Sequence, residues 1–339
     1  MDFWRRKTPA EEAAAADQKR QREALQVLTA ERAASSRYRQ EQDAVRLQQG
    51  GIPIGAEERL RELANAKPGS LAFTSDLSPD EAGLLRRRGY QSLGLVTGSC
   101  VYHVGTAYAS AYSDCEVAEL SGAYNEATRL AVGRMAQEAR MVNAHGVVGV
   151  RFDMVRHEWG QKQIEVQLVG TAVRGPGAAP KVPWLSDLSG QEWWSLTRAG
   201  YEPVALVWGH CTWFILTRMQ DEWTAQSWSN QELGHFSQAL TQCRNRAERT
   251  MHGLAQHAGA TGVVGVRFAR KLEEIRLTGA GANPAYEREH HNLTLSMVGT
   301  AIRESDETAH SVRATVPVLS LRDGRLLAID HRPGDATFE

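Results

Sequence analysis

The sequence predicts an α+β protein made of two tandem copies of one unit, preceded by a charged helix and closed by a β-hairpin. Three observations predict it. The stretch Gly146-Val147-Val148-Gly149-Val150-Arg151-Phe152 recurs letter for letter as Gly262-Val263-Val264-Gly265-Val266-Arg267-Phe268. The landmarks around it recur in the same order. Between them lie strand-like runs and one long helical stripe per copy.

The flanks fix the repeat. Ser75-Asp76-Leu77-Ser78 returns as Ser186-Asp187-Leu188-Ser189, 111 residues on, and Gly98 and Cys100 return as Gly209 and Cys211. The valine stretch returns after 116 residues, and Val169-Gly170-Thr171-Ala172 returns as Val298-Gly299-Thr300-Ala301 after 129. Copy two therefore grew by about five residues near its helix and thirteen in its last turn, and loops tolerate such growth.

Each copy opens on a short helix. Ser78-Pro79-Asp80-Glu81 is a capping-box start, matched by Ser189 and Glu192, and Gly89 and Gly200 supply the ends. A β-branched, aromatic strand follows, Ser92 to Val104, with its twin at Pro203 to Leu216. The long helix spans about Val117 to Val142, with Leu120, Tyr124, Ala127, Ala131 and Met135 on one face. Copy two carries the cleaner stripe Leu233, Phe236, Leu240, Cys243, Ala247, Met251, Leu254, fit to lie on a sheet. The valine strand comes next, and alternation puts Val148, Val150, Phe152 and Met154 on one face. A last strand with Ile164, Val166 and Leu168 completes a hairpin, whose loop in copy two runs from about Leu277 to His291.

The ends differ from the repeats. Residues 1–48 are rich in Ala, Gln, Arg and Glu with a thin apolar stripe, which predicts a solvated or partner-dependent helix. Glu57 to Ala66 reads as a short second helix. At the far end, Asp323-Gly324 between two apolar runs predicts a hairpin that joins a sheet or covers an edge. The predicted division is residues 1–66, 67–178, 179–305 and 306–339.

Composition excludes several classes. A net charge of −1 gives no bias toward nucleic acid. There is no apolar run of membrane-spanning length and no signal-peptide core, so the expected site is cytoplasmic. Four cysteines in 339 residues fit a reducing compartment. No Gly-x-Ser-x-Gly, P-loop or His-Glu-x-x-His is present, so no enzyme activity is expected.

At Gly94-Leu95-Val96-Thr97-Gly98, the Gly146 strand and Val169-Gly170-Thr171-Ala172-Val173, the sequence resembles the YbjQ-like family, which carries a heavy-metal-binding description. Copy two resembles it at Ala205 to Gly209 and Val298 to Ile302, so the resemblance covers about residues 75–303 as two YbjQ-like units. It implies a helix packed on a small antiparallel sheet, and cyclic pentamers in which strands pair between neighbours. Duplication departs from the single-domain form, so the expected assembly is a homo-oligomeric ring, five-fold or pseudo-ten-fold. The expected function is a non-enzymatic ring-forming scaffold or binding protein. Residues 1–48 would tether it to a protein or, peripherally, to a membrane surface; Phe3 and Trp4 beside Arg5, Arg6 and Lys7 read as an anchor of either kind or as a frayed terminus.

The alternative is a soft divalent metal held by Cys100, His103 and Cys115, although no Cys₄ or Cys₂His₂ spacing supports it. Otherwise no cofactor is expected. Arg151 and Arg267 occupy the same place in both copies, as an ion pair between units or as an anion site. Copy two is rich in tryptophan, and Trp193, Trp194, Trp208 and Trp213 are candidates for an interface, because their neighbours lack the cations that nucleic-acid stacking needs.

Overall fold

The computed structural model describes residues 9–65, 74–105, 113–157, 163–218, 221, 229–276, 289–305, 316–319 and 326–329. The chain divides into two compact units, residues 1–62 and 63–339.

The first unit is built on helix α1 (Pro9–Gln48), followed by α2 (Ile54–Ala64). Helix α2 starts three residues before the expected Glu57, because the Asp43 carboxylate accepts from Ile54 N at 2.7 Å and Pro53 O accepts from Ala56 and Glu57. Arg46–Glu57 at 2.5 Å and Arg39–Glu58 at 3.2 Å tie the two helices together.

The second unit repeats one element order. Copy one has α3 (Pro79–Arg87), β1 (Gln91–His103), β2 (Cys115–Glu116), α4 (Ala118–Met141), β3 (Gly146–His157) and β4 (Gln163–Arg174). Copy two has β5 (Trp184–Leu185), α5 (Gly190–Arg198), β6 (Tyr201–Ile215), α6 (Gly234–His257), β7 (Gly262–Arg276) and β8 (Glu289–Glu304). Both capping boxes form as expected, with Ser78 and Ser189 accepting from Glu81 N and Glu192 N.

Two four-stranded sheets result, ordered β1-β4-β3-β5 and β2-β6-β8-β7. All pairs are antiparallel except β3 with β5. The two-residue strands carry no periodic signal, and they are exchanged. β2, from copy one, pairs with β6 of copy two, and β5, from copy two, pairs with β3 of copy one. At the C-terminus β9 (Val316–Leu319) pairs with β10 (Leu326–Ile329), forming the expected hairpin as a two-stranded sheet of its own and not joining an existing sheet, one of its two expected roles. Asp323-Gly324 lies outside the described residues, as do residues 1–8 and 277–288.

Glycines set the helix-to-sheet distance. A Cβ at Gly98 would lie 2.1 Å from Ala131 O, and one at Gly209 would lie 1.9 Å from Ala247 O. Only glycine lets α4 and α6 approach so closely. Cys243, Ala247 and Met251 of α6 pack with Cys211 of β6 and with Leu295, Met297 and Ala301 of β8.

The repeated heptapeptide breaks the ladder at one point. Register slips between Val148 and Arg151, and between Val264 and Arg267, with Gly149 and Gly265 at φ +64° and +67°. This is a bulge that needs glycine. It also corrects the expected alternation. Val147 and Val150 both face Gly170, whereas Val148 packs on the other side with Leu85, Val173 and Trp193.

Candidate functional site between the repeats

The duplicated Ser-Asp-Leu-Ser segment is a turn docked on the threonine of the duplicated Val-Gly-Thr-Ala. In copy one the Thr171 hydroxyl accepts from Asp76 N at 3.1 Å and lies 3.2 Å from Ser75 Oγ. In copy two Thr300 accepts from Asp187 N at 3.1 Å, lies 3.0 Å from Ser186 Oγ and donates to Asp187 Oδ1 at 2.6 Å. The bulge then aims each arginine back at the turn. Arg151 donates to Asp76 Oδ1 at 2.7 Å, and Arg267 to Asp187 O at 3.0 Å.

Each arginine thus pairs within its own copy, and both also line one cleft of about 160 Å³ with Asp76, Leu77, Glu81, Val148, Gly149, Val150, Asp187 and Ser189. The two aspartates are not equivalent. The Asp76 side chain is 29% exposed and that of Asp187 is 2% exposed. Copy one covers Asp187, because Gly149 N and Val150 N donate to Leu188 O and Ser186 O at 2.9 Å each. Burial pushes the Asp187 carboxyl above its usual range, against the opposing pull of Thr300 and Arg267. Its Oδ2 has no hydrogen-bond partner.

Around the cleft the repeats are sewn together. Trp193 is buried against Leu85, Val148 and Val173 of copy one, with Tyr90 edge-on at 4.9 Å. Arg88 stacks 5.7 Å over Trp194 and donates to Thr197 O. Glu81 caps the first turn of α5 by accepting from Gly190 N at 3.0 Å. Farther along, α4 caps the edge of β6: Asn125 and Ser121 accept from His210 N and Thr212 N. His210 is wholly buried, stacked on Phe152 at 5.7 Å. Arg156–Glu273 at 2.8 Å adds an ion pair. Trp208 and Trp213 belong to β6; Trp208 is buried and Trp213 pairs with Glu116 of β2.

The metal candidates are not brought together. Cys100 is buried in β1, with its thiol pushed up by burial, while His103 is exposed on the opposite face. Cys115 sits in the other sheet, opposite Phe214. The neighbouring Asp114 meets His235 Nε2 at 2.5 Å and accepts from Leu216 N. Among the described residues no three His, Cys, Asp or Glu side chains gather in a way that could hold a metal ion.

Sequence reasoning flagged the arginines but treated Asp76, Asp187, Thr171 and Thr300 only as landmarks. Their retention at matching places in both copies was the available signal.

Residues 86–175, which span β1 to β4, match the YbjQ family described as "Putative heavy-metal-binding". The chain is 37% identical over 229 residues to the encapsulin nanocompartment protein Rv1762c of Mycobacterium tuberculosis (strain ATCC 25618 / H37Rv), across 66% of this chain and 85% of that protein. No solved structure matches the chain.

Proposed function

This chain belongs to the YbjQ-like family and is a relative of the mycobacterial nanocompartment protein, and from that premise we propose that it is a non-enzymatic scaffold that assembles head to tail through its open sheet edges. The observation that carries this reading is the contrast between matching positions of the two copies. Copy one's outer strand β3 is covered by β5, and copy two's strand β6 is covered by β2. Among the described residues, the counterparts β7 and β1 end their sheets. Unpaired edges invite another strand.

The side chains there are equally uncovered. Phe152 stacks on His210, whereas its counterpart Phe268 is 59% exposed. Val117 is 2% exposed and its counterpart Leu233 is 37% exposed. Gly146 is required because a Cβ there would lie 2.1 Å from the Trp184 ring; at Gly262 the nearest atom would be Ile302 at 3.7 Å. Gly262 gains a reason once an aromatic residue of another chain covers it. Phe73, which lies outside the described residues, stands 111 positions before Trp184, and the segment 74–77 is the counterpart of 185–188.

Such a contact is heterologous, so it closes into a ring or runs on as a filament. We favour a ring. Each intact chain brings two units, so a ring of whole chains has an even number of units and five chains would make a pseudo-ten-fold one. The name of the nanocompartment relative supports an assembling role. Helix α1 leaves Leu25, Leu28, Tyr38 and Val45 exposed, which suits a tether to a partner protein or membrane surface. No helix among the described residues is long and apolar enough to cross a membrane.

Native mass spectrometry of the full chain tests this reading. A closed oligomer at micromolar concentration is expected, with Phe268→Asp reducing it to monomer and removal of residues 1–48 leaving it intact. A wild-type monomer would overturn the scaffold. The same spectrum reads bound metal, the family's described ligand class, directly.

A further inference from the structure

We propose that the cleft between the repeats binds a small tetrahedral oxyanion, sulfate or phosphate, between Arg151 and Arg267. This does not depend on assembly, since one chain supplies the whole cleft.

Arg151, Arg267 and Ser189 bring uncommitted donors to the cleft. A guanidinium carries five N–H groups. Arg151 commits one nitrogen to Asp76 and Arg267 one to the main chain of Asp187, and both side chains are well exposed, at 71% and 62%. Ser189 accepts from Glu192 N, which leaves its own hydroxyl proton to donate. The acceptors are largely spent: Asp76 Oδ1 on Arg151, and the two Glu81 oxygens on Ser78 N and Gly190 N.

Asp187 Oδ2 remains, at the wall of the cleft, buried and without a hydrogen bond, its nearest charged neighbour being Arg267 Nε at 3.6 Å. A buried oxygen without a hydrogen bond calls for an explanation. Protonated, Asp187 becomes one more donor, and burial already favours that form. An anion alongside favours it further. The charged groups around Asp187 are Arg267 on β7 and Glu192 on α5, with Asp76, Glu81 and Arg151 across the cleft. The cleft of about 160 Å³ has room for one such ion and several waters.

Binding should therefore take up a proton, so affinity should rise as pH falls. Sulfate is the probe, because it does not itself titrate in this range. Calorimetric titration of the full chain, at constant ionic strength, should give one saturable site, tighter at acid pH than at neutral pH. Arg151→Met, at an exposed position, should weaken it about tenfold or more without unfolding the chain. Asp187→Asn should keep binding and lose the pH dependence. The proposal fails if sulfate shows no saturable binding at either pH, or if Arg151→Met and Arg267→Met bind like the wild type. A pH dependence that survives in Asp187→Asn would overturn the proton coupling.

Discussion

A methyl group at Gly209 would have nowhere to go. Its Cβ would stand 1.9 Å from Ala247 O, and the obstacle is helix backbone, which cannot rotate away. Gly209→Ala should therefore destabilise the chain by about 3 kcal/mol or more, read from the urea midpoint. Gly122→Ala is the control: nothing lies within 4 Å, and the gain in helix propensity should stabilise by roughly 0.5–1 kcal/mol. Equal effects would refute this account of α6 on β6. His210 makes the second prediction at this scale. The Thr128 hydroxyl donates to Tyr124 O, so it accepts from Nε2–H, and Nδ1 is left buried and unpaired. Burial depresses the pKa to about 3, so the folded chain keeps His210 neutral. The unfolded chain takes up a proton below about pH 6.5. Stability is thus complete above that value and should fall by about 1.4 kcal/mol per pH unit between about pH 6.5 and 3. His210→Gln should flatten this slope; an unchanged slope would discard the assignment.

The elements written in local code were legible. Capping residues, a C′ glycine and a stripe of apolar side chains act within a few residues, so α4 was placed within a residue at each end and both short helices were found. The valine strand was legible too, apart from its bulge, which shifts Val148 to the far face. β2 and β5 were not legible. Two residues cannot display a period, and their partners lie in the other copy. The candidate site was half legible for the same reason. Arg151 and Arg267 stand out by repetition, but the burial of Asp187 is imposed by Gly149 and Val150 from outside its own copy.

At the scale of the molecule, the two copies are alike but not interchangeable. Gly190 lets Glu81 pack against it, a Cβ there standing 2.6 Å from Glu81 Cβ, and it lends its N–H to that carboxylate. The counterpart 111 positions earlier is Pro79, which has a Cβ and no N–H. A junction between chains cannot copy the junction within the chain at that point. In the proposed assembly the two kinds of junction alternate, and the one between chains, lacking this cap, is the weaker. Denaturant or salt should accordingly divide the assembly into whole chains before any chain unfolds.

The exchange of β2 and β5 has one more consequence. Each half lends the other a strand, so the peptide that joins them is not what holds them. Residues 176–182 are exposed on that peptide. A single proteolytic cut there should leave two polypeptides that elute together and separate only in denaturant; separate elution would show the covalent link to be essential. The molecule would then be a heterodimer that happens to be translated as one chain, and it could be expressed from two genes.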